Sequence, residues 1–201
     1  MTSNKRKKKV PAGPCKVKSL KSLRALLKRH GVNYADWGVG YTKTPQELMK
    51  EVRLGESLLL IKRGMLRRQA RHSQASITCM VDGILYELVE DRQVFANGTV
   101  RRREGGRSVS EKIQSGESPK AAMIRGIHEE LGLVDYTGEG LVREIRRPRR
   151  RSNDSAESYP GLAVDHIEFQ FSWAMPLKYF CADGYVEVKR RKSTYFVWKV
   201  A

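Results

Sequence analysis

The 201-residue chain carries 39 Lys or Arg against 22 Asp or Glu, a net charge of +17. That length holds one domain of ordinary size with appendages, and Cys15, Cys79 and Cys181 are too scattered for a disulfide framework or a cysteine metal cage. No apolar run can cross a bilayer and there is no secretory signal, which predicts a soluble intracellular protein with no membrane partner, cytoplasmic or nuclear, an organelle not excluded.

The charge is uneven, with eleven basic residues and no acid before Asp36. Residues 1–18, with Lys5-Arg6-Lys7-Lys8-Lys9 and then prolines and glycine, predict a disordered basic arm. It serves either as a solubilising tail or for nuclear import, organelle targeting or RNA contact. Residues 19–56 predict a helical extension. Leu20, Leu23, Leu26 and Leu27 recur at helical spacing up to Gly31, and Thr44-Pro45 with Glu47 opens a second helix that stops near Gly55. Trp37, in the glycine- and aromatic-rich loop between them, is expected to anchor the core.

Residues 57–201 form the main domain. Asp82-Gly83 and Asn97-Gly98 lie between apolar runs and signal two-residue hairpin turns, hence an antiparallel meander. It leads into Glu111–Leu133. There Ser118-Pro119 starts a helix and Gly132 stops it. At 100° per residue, Ala121, Ile124, Ile127 and Leu131 share one stripe, and Arg125, Gly126, Glu129 and Glu130 share the opposite face. Such a face is either solvated with an Arg–Glu pair one turn apart, or a site for a hard cation, which carboxylate oxygens suit.

Beyond it, Gly138–Arg147 predicts a strand and Arg146–Gly161 a long loop. Its arginines, Arg147 and Arg149 among them, offer contacts for a polyphosphate or an RNA backbone, and Tyr159 a frame for a base or ribose. A flexible solvated loop explains the same residues. Asp165–Trp173 alternates as a strand, with Ile167, Phe169, Phe171 and Trp173 on one face and Glu168 on the other. Gly184 onward reads as a closing hairpin.

The segment Glu111–Leu133 resembles the signature of the Nudix hydrolases, G-x5-E-x7-R-E-U-x-E-E-x-G-U with U apolar. Glu117, Arg125, Ile127, Glu129, Glu130, Gly132 and Leu133 match it in spacing. Glu111 stands where the pattern has its first glycine, and Gly126 where it has the first glutamate of the R-E-U-x-E-E run. The resemblance implies an α+β fold, an α/β/α sandwich around a mixed sheet, with this box at 111–133. It implies cleavage of a pyrophosphate bond in a nucleoside diphosphate derivative with Mg²⁺ or Mn²⁺. Glu129, Glu130 and Glu117 would hold the metal and Arg125 would orient them. Glu168 is a candidate further acid, and Glu168 and Glu111 are candidate bases. A homodimer is a further option that the family leaves open. Because Gly126 removes one carboxylate, a second reading stands beside it, a Nudix-like module that binds a nucleotide or RNA without turnover.

Overall fold

The computed structural model describes residues 13–102, 108–144 and 147–201. The Lys5–Lys9 run of the predicted arm and Arg146 of the predicted basic loop lie outside them. The fold is α+β, a mixed ten-stranded sheet with helices on both faces. The helices are α1 (Leu20–Arg29), α2 (Pro45–Leu54) and α3 (Pro119–Leu131). The strands are β1 (Ser57–Lys62), β2 (Met65–Val81), β3 (Ile84–Phe95), β4 (Val100–Arg101), β5 (Val109–Lys112), β6 (Leu141–Arg143), β7 (Arg149–Asn153), β8 (Ala163–Ala174), β9 (Tyr185–Lys189) and β10 (Lys192–Val200).

Strand β2 is the spine. Along one edge it runs parallel to β8 from Arg67 to Thr78, which makes the sheet mixed. Along the other it is met in turn by β1, β5 and β3, all antiparallel. The remaining order is β6-β8-β2-β3-β10-β9, so β9 forms an edge. Side chains alternate across a sheet. Ala75, Ile77 and Cys79 of β2 therefore join Phe171 and Trp173 of β8 in a core under α3. Leu66 and Ala70 join Val164 in a second core under α1 and α2.

The turns explain why the hairpins close. Asp82 and Gly83 both have positive φ, 49° and 79°, as a two-residue turn that follows the right-handed strand twist requires. Asn97-Gly98 differs from expectation. Only Gly98 is left-handed (φ 82°), and the Phe95 N–H donates to the Thr99 carbonyl at 2.8 Å, so the loop has three residues. The expected loop at Arg146–Gly161 also differs, because Arg149–Asn153 pairs with Val164–Glu168 as β7. Every residue of β7 is exposed, so it carries no hydrophobic alternation, and backbone pairing with polar contacts from Arg151 and Ser152 to β8 makes it a strand. Residues 13–18 do not continue the arm freely, since the Cys15 N–H donates to the Leu59 carbonyl at 2.7 Å.

Strand β5 is pinned from both faces, and this positions the site. Lys112 points to the α2 side, where its ammonium meets Glu51. Glu51 is 4% exposed and also holds Lys43 at 2.6 Å and Arg68 at 3.2 Å, with the Ser57 hydroxyl donating to it at 2.8 Å. Glu111, one residue earlier, points to the α3 side, where Arg125 receives it.

Candidate functional site

Helix α3 begins where Ser118 Oγ accepts the Ala121 N–H at 3.1 Å with Pro119 in the first turn, and it stops at Gly132 in the left-handed region (φ 71°). Its bounds follow the sequence signals, but its rotation does not. Ala122, Met123, Gly126, Ile127 and Leu131 are buried, while Ala121 is exposed. Glycine without a side chain reads as non-apolar on a wheel. Here it is the flat point on which the helix seats against β5. The buried stripe therefore turns toward Gly126 and takes Glu130 inward, leaving Glu129 exposed. Glu130 is half-buried and does not lie on an exposed face as the wheel predicts.

Arg125 is the hub of the site. Its Nε and Nη2 donate to Oε1 and Oε2 of Glu117, each at 3.0 Å, and Nη2 also donates to the Lys112 carbonyl at 2.7 Å. Its Nη1 lies 3.3 Å from Glu111 Oε1 and 3.3 Å from Glu129 Oε1. One guanidinium thus gathers three carboxylates, from β5, from the turn before α3 and from α3 itself. Burial alone would raise Glu117, but the bonds from Arg125 and from the Gln114 N–H hold it below the ordinary carboxylate range.

Glu111 and Glu130 shift the opposite way. Burial raises the Glu111 carboxyl, and the charge of Glu129 adds to this, against the pull of Arg125. Burial raises Glu130 well above its ordinary value, and the charges of Glu187 and Glu111 push it further, against the pull of Lys189 and Lys192. Among the described residues Glu130 has no hydrogen bond or ion pair. Negative charge is therefore more concentrated here than the nearby cations neutralise.

Glu187 and Lys189 of β9 complete the cluster, and sequence reasoning passed over both. Glu187 is 5% exposed and accepts from the Thr194 hydroxyl at 3.3 Å. The Lys189 ammonium pairs with Glu187 and lies 3.7 Å from Glu129. Burial would lower the Lys189 ammonium, yet its bond to Glu187 and the surrounding carboxylates raise it. The signal was present in the alternation of Tyr185, Glu187 and Lys189 against Val186 and Val188. Tyr185 is core, so an acid two residues on faces inward while the valines face out.

The other predicted residues are not gathered here. Glu168 shares the face of Val164, toward α1 and α2, and accepts from Arg151 Nε at 3.0 Å. It does not meet Glu129 and Glu130. Arg147 and Arg149 are exposed, the latter on β7. Tyr159 is fully buried, packed at a tilt against Trp37 with 5.0 Å between ring centroids, and therefore frames no base at the surface. Trp37 is the core anchor expected of it, 7% exposed, with its indole N–H on the Pro160 carbonyl at 3.0 Å.

Among the described residues no group of three or more His, Cys, Asp or Glu is placed to hold a metal ion. The donor chemistry nevertheless suits a hard divalent cation. The donors are carboxylate oxygens, three of the carboxylates gathered on one guanidinium, and Mg²⁺ takes one or two carboxylates plus waters and substrate phosphates rather than a full protein cage. No helix among the described residues is long and apolar enough to cross a membrane.

No family model and no curated protein matches the chain. Among solved structures, it is similar to an Ap4A hydrolase of C. elegans in a binary complex, with 13% identity, 65% of this chain and 79% of that chain covered, and a TM-score of 0.38. It is similar to the NUDIX domain of Shewanella oneidensis NrtR complexed with ADP ribose, with 12% identity, 66% and 73% covered, and a TM-score of 0.35. It is also similar to the M. smegmatis Nudix hydrolase RenU, with 18% identity, 71% and 78% covered, and a TM-score of 0.36.

Proposed function

We propose that the chain is a divalent-metal-dependent hydrolase that cleaves a pyrophosphate bond in a nucleoside diphosphate derivative. The observation that carries this reading is the carboxylate cluster on the α3 face, where Glu111, Glu117 and Glu129 converge on Arg125 and where burial with the charges of Glu187 and Glu111 outweighs the pull of Lys189 and Lys192 on Glu130. A cluster short of positive charge is a place for a cation. Glu129 and Glu130 would hold Mg²⁺ or Mn²⁺, with Glu117 behind them. Such an ion, when bound, neutralises phosphate charge and polarises the bond under attack by water. Arg125 fixes the carboxylates in position through Glu117 and Glu129. Arg147 and Arg149 are exposed but lie apart from this cluster, so they would serve only a substrate long enough to reach them.

The test is product release from a panel of nucleoside diphosphate derivatives and capped RNA with Mg²⁺ or Mn²⁺, wild type beside Glu130→Gln. Metal-dependent turnover that the substitution abolishes is the expected result. Silence of the folded wild type across the panel overturns the reading.

A second reading, a nucleotide- or RNA-binding module without turnover, draws on Lys189. Its ammonium sits against Glu187 and 3.7 Å from Glu129, so the chain supplies a cation of its own to the cluster. The basic arm and the arginines of the β7 region would then carry RNA binding. Since residues 13–18 are tied to β1, the discriminating deletion is residues 1–12. It should weaken RNA binding and flatten its salt dependence. Unchanged affinity and slope would remove the arm from this role.

A further inference from the structure

Gly126 and Glu111 face each other where α3 crosses β5. A Cβ built on Gly126 would lie 2.8 Å from the Cβ of Glu111, 3.2 Å from Val109 Cγ1 and 3.3 Å from Met123 Cε. The first distance is closer than two side chains tolerate, and the neighbour is the root of a side chain on a paired strand rather than a flexible tip. In this packing a side chain at both positions forces one of the two elements to shift. The signature that the segment resembles has glycine at the first position and glutamate at the second. This chain has the reverse.

We propose that Glu111 and Gly126 are a matched exchange, in which the carboxylate absent from helix α3 is delivered to the same place from strand β5, making Glu111 a ligand of the divalent cation beside Glu129 and Glu130. This rests on the metal-site reading above. The two backbones approach so closely that a glutamate rooted in either reaches the same region. Glu111 Oε1 accordingly shares Arg125 Nη1 with Glu129 Oε1, at 3.3 Å each. Strand β5 is also a firm base for it, since Glu111 pairs with Ser73 of β2, whose hydroxyl in turn donates to the Pro119 carbonyl of α3 at 2.6 Å. Arg125 does not depend on Glu111 for a partner. That guanidinium is already held by both oxygens of Glu117 and by the Lys112 carbonyl.

The experiment is a reciprocal swap in the full chain. Glu111→Gly, Glu111→Gln, Gly126→Glu and the double variant Glu111→Gly/Gly126→Glu are compared with wild type. The readouts are Mn²⁺ binding, from the loss of the free-ion electron paramagnetic resonance signal, and thermal unfolding. Glu111→Gln, which keeps volume and fold, should weaken Mn²⁺ binding by about tenfold or more. Gly126→Glu alone should lower the melting temperature, and the double variant should recover both stability and Mn²⁺ affinity. Wild-type affinity in Glu111→Gln, or a folded double variant that binds no better than Glu111→Gly, overturns the exchange. Glu130→Gln separates the two levels. If it loses Mn²⁺ while Glu111→Gln keeps it, the metal site stands and only the role of Glu111 falls. If wild type itself does not bind Mn²⁺, both fall.

Discussion

Arg125 grips Glu117 with two parallel hydrogen bonds, Nε to Oε1 and Nη2 to Oε2, each at 3.0 Å. The same Nη2 reaches the Lys112 carbonyl at 2.7 Å, so one planar group ties the turn before α3 to strand β5. Planarity and a fixed fork of donors are what lysine lacks. Arg125→Lys keeps the charge and loses the geometry. It should lower stability by about 1–2 kcal/mol, read from the midpoint of denaturant unfolding. It should also reduce any metal-dependent turnover, because Glu111 and Glu129 lose their shared anchor. An unchanged midpoint would mean that the fork is not formed in solution.

The inward rotation of Glu130 makes a prediction that an exposed glutamate would not. Its carboxyl is raised by burial and by Glu187 and Glu111, so the charged form is disfavoured in the folded protein. For a carboxylate raised on folding, stability is lost as pH climbs above the unfolded value and regained on acidification through the folded one. Without divalent metal at neutral pH, Glu130→Gln should therefore raise the melting temperature. A shift of about 2–4 °C corresponds to 1 kcal/mol for a chain of this size. Mg²⁺ or Mn²⁺ should stabilise wild type and leave the variant where it is. Thermal unfolding with and without metal checks both halves, and a melting temperature that falls in the metal-free variant would contradict the placement.

The stops and starts of this chain were legible because they rest on local chemistry. Ser118-Pro119 and Gly132 bound α3, Thr44 and Gly55 bound α2, and Asp82-Gly83 turns β2 into β3. What the residues did not reveal is how elements meet. The wheel set Gly126 and Glu130 on the exposed face, because the depth to which a helix settles depends on the strand beneath it. Strand β7 was missed because it buries no face, and the burial of Tyr159 depends on Trp37, far away in sequence. Glu187 was overlooked although its alternation with Val186 and Val188 was in plain view. An acid on the buried side of a strand looks like noise until its neighbours are known.

Gly126→Ala sets two effects against each other. Alanine gains about 1 kcal/mol of helix propensity over glycine. The added methyl would stand 2.8 Å from Glu111 Cβ and 3.2 Å from Val109 Cγ1, and forced overpacking costs about 1–3 kcal/mol. Packing should win. The variant is expected to be less stable than wild type, and Glu111→Gly in the same chain should recover part of the loss, the contacts with Val109 and Met123 remaining. Circular dichroism melts of the two variants decide it. A Gly126→Ala protein more stable than wild type would show that α3 can lift from β5 at little cost.

On the opposite face, Glu51 is a single buried anion facing Lys43, Arg68 and Lys112. Burial would raise its carboxyl, but the three cations hold it well below the ordinary range. Lys112 feels burial as the larger effect and is pushed down to about 8 in spite of Glu51, with Lys43 and Arg68 adding to the depression. Removing the anion strands charge in a buried place, which costs about 3–5 kcal/mol. Glu51→Gln should fall toward the lower figure, because Lys112 can shed its proton once Glu51 no longer holds it. The pH dependence separates this from a packing defect. A carboxyl lowered on folding contributes stability that is full above its unfolded value of 4.5 and fades as pH falls below it. Wild type should therefore lose stability relative to Glu51→Gln between neutral pH and about pH 3, narrowing the gap between them. Denaturant unfolding of both proteins at the two pH values measures it. A gap that stays constant would mean that Glu51 acts through its shape and hydrogen bonds rather than its charge.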